Sequence, residues 1–208
     1  CLRELGYEVL CLREPGGTDI GETLRYIVLD PKNDCLDAHA ELFIYEAARA
    51  QIVAQVIAPA LERGAIVLCD RFYDSTVAYQ VAGRGLSAQF VDAANAFACQ
   101  GTVPQRTILM VSATTEEGLT RATNEGADRI ERAGVDFHVR VNAAFLDIAR
   151  KEPERVRVVQ FADSKAETAQ RVFDQVKDLI PVLGRAASAN EHFFDRVEDK
   201  SLYEGSAL

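Results

Sequence analysis

Two short stretches carry charged side chains in places where a folded chain tolerates them only for a reason. Arg13-Glu14-Pro15-Gly16-Gly17-Thr18 sets a guanidinium beside a tight Pro-Gly-Gly turn. The two glycines permit positive φ and a close backbone approach to a ligand, and Arg13 suits bidentate contact with a phosphate. Taken alone, the stretch reads equally well as a plain Pro-Gly turn. No Gly-Lys-Ser/Thr follows it, so it is not a phosphate-binding loop of the Walker type. Asp70-Arg71-Phe72-Tyr73-Asp74-Ser75-Thr76 comes directly after an apolar run. A charged pair there costs free energy unless it acts on a ligand or pairs with itself. An aspartate in that place orients Mg2+ or its waters, and an arginine binds phosphate. The alternative is a structural Asp70–Arg71 ion pair.

Two further groups add to these. Arg49 follows Tyr45 by four residues, the spacing that puts both on one helix face. A ring beside a guanidinium suits a nucleobase, one stacking and the other bonding the base edge; a snorkelling surface arginine is the plainer reading. Arg121, Arg129 and Arg132 lie around Gly126, interleaved with Asp128 and Glu131. Such a segment can close over a transferring phosphoryl group, whose charge spreads over its equatorial oxygens. It can equally be a solvated, salt-bridged face. His39, His138 and His192 have no paired ligand spacing.

The elements that must position these residues follow from the apolar pattern. Residues 8–12, 65–69, 107–111 and 156–161 are short apolar runs without clean alternation, as strands covered on both faces would be. Helical patterns occupy 41–63, 89–98, 134–150 and 166–179. Pro59 should bend or break the first of these, with Gly64 at its C′ position. Ser164 and Glu167 have the spacing of a capping box. Residues 1–6 resemble the last turn of a helix ending in glycine. Alternating strands and helices predict a parallel sheet in a three-layer α/β fold, with ligands beyond the carboxyl ends of the strands. The residues at those ends are 13–18, Asp70-Arg71 and 112–115.

The bulk properties are compatible with this reading. A chain of 208 residues that is 48% hydrophobic supports one sizeable core. Net charge -9 argues against nucleic-acid or anionic-membrane surfaces, and no apolar run reaches bilayer length. Cys1, Cys11, Cys35, Cys69 and Cys99 are widely spaced. Cys11 and Cys69 read as core residues, and a reducing, cytoplasmic compartment is expected. Residues 184–208 read as a C-terminal tail after a domain over 1–183.

Five stretches in order carry a family resemblance: R-E-P-G-G-T-x-I-G-E at 13–22, E-L-F-I-Y-E-A-A-R-A-Q at 41–51, D-R-F-Y-D-S-T-V-A-Y-Q at 70–80, G-R-G-L at 83–86, and G-L-T-R…D-R-I-E at 118–131. Together they resemble the bacterial thymidylate kinases, over about 1–183. The resemblance implies a P-loop-kinase-like fold, ATP and Mg2+, transfer of the γ-phosphoryl group to dTMP, and a homodimer. It implies that Arg13 contacts the dTMP phosphate, Tyr45 stacks on thymine in place of a usual phenylalanine, and Arg49 bonds a thymine carbonyl. Asp70 would hold Mg2+ and Arg71 phosphate. Ser75, Thr76, Tyr79 and Gln80 would line the base and sugar pocket, Tyr79 excluding a 2′-hydroxyl. Arg121 and Arg129 would belong to a lid over ATP.

The chain departs from the family at Ser112, where aspartate is usual, and at Pro104-Gln105, where Pro-Asp is common. The family also opens with a strand and a Gly-rich Walker A loop. No lysine here stands in that context, and the chain starts at Cys1. The expectation is that the loop and its central strand precede Cys1 in the natural protein. On that reading residues 1–208 alone are inactive, and the sheet is interrupted beside 65–69. A deoxynucleoside kinase of related fold and a non-catalytic nucleotide-binding protein lacking the loop are the competing readings.

Overall fold

The structure, a computed structural model, describes residues 2–112 and 128–181. These belong to two compact units, one drawn from Cys1–Val103 and Thr115–Ile148, the other from Pro104–Thr114 and Ala149–Leu208. The expected tail at 184–208 lies outside the described residues, as does Arg121.

In the first unit, β1 (Val9–Arg13) pairs in parallel with β2 (Ile66–Asp70), Arg13 opposite Asp70. The ends of both strands therefore bring the two charged stretches of the sequence side by side. Leu12, Val67 and Cys69 pack on a core of Ile52, Val53, Ile57, Phe72 and Cys99. Cys11 and Leu68, opposite each other in register, are instead exposed. The pair thus alternates with the period of two expected of a sheet covered on one face. The expectation that Cys11 is a core residue is corrected accordingly.

The helices of this unit are α1 (Asp19–Leu29), α2 (Ala38–Ile52), α3 (Ala58–Glu62), α4 (Tyr73–Thr76), α5 (Ala88–Cys99) and α6 (Val135–Lys151). The apolar pattern alone did not predict α1 or α4. The start of α1 is local chemistry: Thr18 caps it by accepting from the Gly21 N–H, and Asp19 and Glu22 occupy its positive end. Between α2 and α3 the backbone widens into a π turn, Val53–Ile57, where the Ala58 N–H reaches back to the Val53 carbonyl. Pro59 has no N–H to continue the α-helical ladder, and the wider turn lets the helix pass it without a break. Gly64 ends α3 in the left-handed region, φ 80°. A second π turn, Val77–Gly83, continues α4 and holds Tyr79 and Gln80.

A second apolar cluster sits beneath that turn. Ala78, Ile130, Phe137 and Val141 are buried together, with Tyr79 and Phe145 against them. Each large side chain enclosed this way contributes roughly 1.5–3 kcal/mol. Arg140 donates to the carbonyls of Ala82 and Gly83, satisfying the open end of the π turn.

In the second unit β3 (Thr107–Val111) pairs in parallel with β4 (Val156–Gln160), and α7 (Lys165–Asp174) packs on β4. Ser164 Oγ accepts from the Glu167 N–H at 3.0 Å, while the Glu167 carboxylate turns to Arg171; half of the expected capping box forms. The α7 helix ends sooner than the pattern to 179 predicted, passing into turns after Asp174. Among the described residues the strands form two separate pairs, so β2 has β1 on one edge and no second neighbour.

Gly83 gives the sharpest test of this packing. A Cβ there would stand 2.5 Å from Phe137 Cε2. Gly83→Ala should therefore destabilise by about 1–3 kcal/mol despite the better helix former, seen as a lowered urea midpoint. A neutral or stabilising result would mean that Phe137 does not pack there.

Candidate active site

The loop after β1 is built around Glu22. Its carboxylate accepts from the Gly17 N–H at 2.8 Å and from Arg13 at 2.9 Å. Desolvation raises the Glu22 pKa, but these two donors outweigh it and hold the carboxyl below its ordinary range. Gly16 has φ 133°, and a Cβ there would meet that carboxylate and displace it. Arg13 remains exposed. Arg25, on α1, donates to the Pro15 carbonyl at 3.0 Å. Burial first, and then the nearby Arg13, depress its basicity, and it feels Tyr45 and Asp128 as well. Two guanidiniums of like charge are thus held close at the strand end, an arrangement that favours an anion between them. The sequence reading missed Arg25; its only signal was a position four residues before the end of a helix not itself anticipated.

Arg49 lies in the interior, 2% exposed. Its Nε and Nη2 both donate to Glu14 Oε2, at 3.0 and 2.9 Å, and Nη1 donates to Glu46 at 2.9 Å and Asn95 at 2.8 Å. Four of the five N–H donors of its guanidinium are thereby used. The ring over which it lies is Phe72, 5.4 Å to the centroid. The arginine ties the loop after β1 to α2 and α5. Glu14 and Glu46 are both buried, and desolvation, ahead of the attraction of Arg49, raises both pKa values. Among the described residues Glu14 Oε1 is enclosed without a hydrogen-bond partner.

Asp70 ends β2 exposed, and its carboxylate makes no hydrogen bond or ion pair among the described residues. Arg71 does not pair with it. The Arg71 side chain instead donates to the Tyr79 hydroxyl at 3.3 Å and lies 5.3 Å above the Tyr79 ring. Its backbone is left-handed, φ 65°. For a non-glycine residue that conformation stores of order 1–3 kcal/mol, and it turns the chain sharply from β2 towards α4. Tyr79 is wedged between Phe137 and Phe145, with centroids 6.0 and 6.1 Å away. Thr76 and Gln80 are buried, Ser75 half-buried.

A second buried hub is Glu41, wholly inaccessible to solvent. It accepts from Gln80 Nε2 at 2.8 Å, from Arg84 Nε and Nη2 at 3.0 and 2.9 Å, and from Arg129 Nη2. Desolvation raises its pKa, yet Arg84, Arg129 and Gln80 together bring the carboxyl below its ordinary value. Arg129 also donates through Nε to the Val28 carbonyl and through its backbone to Leu29. Expected in a lid over ATP, Arg129 is 8% exposed and acts as a buried clamp between residues 128–133, α1 and α2. Tyr45 stands half-buried near Glu41, Arg71, Arg129 and Asp128, and burial raises its hydroxyl pKa so that it stays neutral. The geometry thus gathers Arg13, Arg25, Tyr45, Asp70, Arg71, Tyr79 and Gln80 around the end of β1–β2. Arg49 and Arg129 it sets behind them as internal supports.

The fold is that of an α/β kinase of the P-loop class: the crystal structure of thymidylate kinase from Ehrlichia chaffeensis is similar with a TM-score of 0.62 and 30% identity, over 85% of this chain and 81% of that one. The family model for thymidylate kinase matches residues 1–172. Thymidylate kinase of Syntrophotalea carbinolica is 42% identical over 179 residues, 83% of this chain and 82% of its relative. That of Pseudomonas putida is 45% identical over 174 residues, 83% of each. The chain belongs to the thymidylate kinase family.

Two consequences of the Arg49 cluster are measurable. Arg49→Ala leaves two buried carboxylates without their cation and should cost about 3–5 kcal/mol of stability, read by chemical denaturation. Glu46 holds its proton more tightly folded than unfolded. Its contribution is therefore fully present below the unfolded value of 4.5 and is lost as pH rises through the raised folded value. Glu46→Gln cannot titrate, so its melting temperature should gain on the parent's as pH rises above 4.5. A gap that is constant with pH would show that Glu46 is not perturbed.

Proposed function

We propose that the protein transfers the γ-phosphoryl group of ATP to dTMP, giving dTDP. The observation that carries this reading is the convergence of Arg13, Arg25 and Arg71 beside Tyr45 and beside Asp70, whose carboxylate is unpaired among the described residues. A phosphate between arginines, with an aromatic ring beside it, is what a nucleoside monophosphate requires. A nucleoside acceptor has no charge for Arg13 and Arg25 to meet.

The residues divide the work by chemistry. Arg13 and Arg25 hold the acceptor phosphate and keep its oxygen directed at the donor. Tyr45 covers the base and Gln80 bonds its edge. The Tyr79 ring, kept rigid by Phe137 and Phe145, closes the space that a 2′-hydroxyl would fill. Arg71 supplies positive charge where negative charge spreads over the transferring group. Arg121, outside the described residues, keeps the lid role that the resemblance gives it. Arg129 supports the pocket from behind. Arg49 offers the base at most the one guanidinium N–H not bonded to Glu14, Glu46 or Asn95.

The donor set suits Mg2+. Among the described residues Asp70 is an unpaired carboxylate at a strand end, and no three acidic, histidine or cysteine side chains cluster. One carboxylate, with the phosphates themselves and water, is the set Mg2+ takes from proteins that handle nucleotides. When bound, the ion neutralises charge on the donor phosphates. Asp70 would hold it, directly or through water.

Homodimeric assembly and a cytoplasmic location complete the proposal. Among the described residues no helix is long and apolar enough to cross a membrane. Phe97, 87% exposed, and the edge-to-face pair Phe43 and Phe90 offer apolar surface on α2 and α5 for a second copy.

The acceptor is tested by comparing dTMP with thymidine in calorimetry and in ADP formation. dTMP should bind and turn over far better; equal or preferred use of thymidine would favour the deoxynucleoside kinase reading. Asp70→Asn and Arg71→Ala should each lower turnover by about a hundredfold with melting temperature nearly unchanged, because neither makes an ion pair among the described residues. A large loss of stability with near-normal turnover would assign them to structure instead.

A further inference from the structure

We propose that Glu41 determines which pyrimidine the pocket accepts, by fixing which end of the Gln80 carboxamide donates and which accepts. The inference rests on the reading of the site as a dTMP pocket with Gln80 at the base edge.

Gln80 is 2% exposed, and its Nε2 donates to Glu41 Oε1 at 2.8 Å. A carboxylate has acceptors only. Turning the amide by 180° would set Gln80 Oε1 against Glu41 Oε1, acceptor facing acceptor in a site without water. The hydrogen bond would be lost and a buried oxygen left unsatisfied. Protonation of Glu41 would remove the conflict, but Arg84 and Arg129, bonded to the same carboxylate, oppose it. The amide is therefore held one way round. Its Oε1 accepts no hydrogen bond among the described residues, and Nε2 keeps a second hydrogen.

What remains on offer is one acceptor next to one donor. Thymine presents the complement, an N3–H donor beside the O4 acceptor. Cytosine presents the reverse, an N3 acceptor beside an N4 amino donor. With the amide as held, Oε1 meets the thymine N3–H and Nε2 meets O4, while on cytosine both contacts oppose like with like. The inverted amide would exchange these preferences. One rotation of Gln80 separates the two sites, and Glu41 blocks it from outside the pocket. Uracil shares thymine's pattern, so the device separates dTMP from dCMP and not from dUMP. Glu41 is a positioning residue; it acts on the base only through Gln80.

The test is calorimetric binding of dTMP and dCMP to the 208-residue chain and to Glu41→Gln, Gln80→Leu and the double variant. The amide of Glu41→Gln can donate to an inverted Gln80. The ratio Kd(dCMP)/Kd(dTMP) should fall about tenfold or more in Glu41→Gln, fall likewise in Gln80→Leu, and fall no further in the double variant. An unchanged ratio in either single variant, or a further fall in the double, overturns the proposal. So does an equal loss of affinity for both nucleotides, which would give Glu41 a structural role only. If Glu41→Gln does not fold because Arg84 and Arg129 lose their partner, Glu41→Gln/Arg84→Gln keeps the cluster's net charge and carries the same measurement. A parent chain that binds neither nucleotide overturns the dTMP reading itself, and the proposal with it. A selective parent whose variants stay selective overturns only the role of Glu41.

Discussion

Glu41 and Arg49 leave the same helix, eight residues apart, and both end where water does not reach. A charge in such a place is tolerable only if side chains from elsewhere close on it. Arg49 is met by Glu14 from the loop after β1 and Asn95 from α5; Glu41 by Gln80 from the second π turn, by Arg84 directly after it, and by Arg129 from beyond α5. Four distant segments are therefore located against α2 by the need to satisfy two charges. Apolar burial gives this unit its cohesion, but apolar contact is not directional. The hydrogen-bond geometry of the two hubs determines register and orientation.

This constraint separates the charged residues into two populations. Arg49, Arg84, Arg129, Glu14, Glu41 and Glu46 neutralise one another inside. Arg13, Arg25, Arg71 and Asp70 stand at the strand ends with donors or acceptors still open. The inner set supports the outer one directly. Glu14 is next to Arg13 in the chain, so its bond to Arg49 anchors the backbone that presents Arg13. Gln80 is next to Tyr79, so its bond to Glu41 anchors the ring beneath Arg71. Strain sits on the same path: Arg71 is left-handed at the turn where Asp70 must face outward.

Both π turns lie where a regular helix would fail. The first carries α2 past Pro59. The second alters the angular step at Tyr79 and Gln80, so that one ring packs against α6 while the next side chain reaches back to α2.

The sequence by itself determined the parallel α/β class, the four strands and most of the helices, since these depend on local apolar periodicity and on caps that neighbouring residues supply. It also marked Arg13, Tyr45, Asp70, Arg71 and the residues after them, because ordered motifs at strand ends are local too. It did not anticipate α1 or α4, whose positions follow from Thr18 as a cap and from the left-handed turn at Arg71. Nor could it tell an exposed arginine from a buried one. Arg49 and Arg129 looked like Arg13 in the chain, and Arg25 drew no notice. What distinguishes them is whether a carboxylate from another segment reaches the guanidinium first. Glu14 and Arg49 are 35 residues apart, and Glu41 and Arg129 are 88. Pairings over such separations exist only once the chain is folded, because local propensity carries no information about which distant charge will be enclosed beside which.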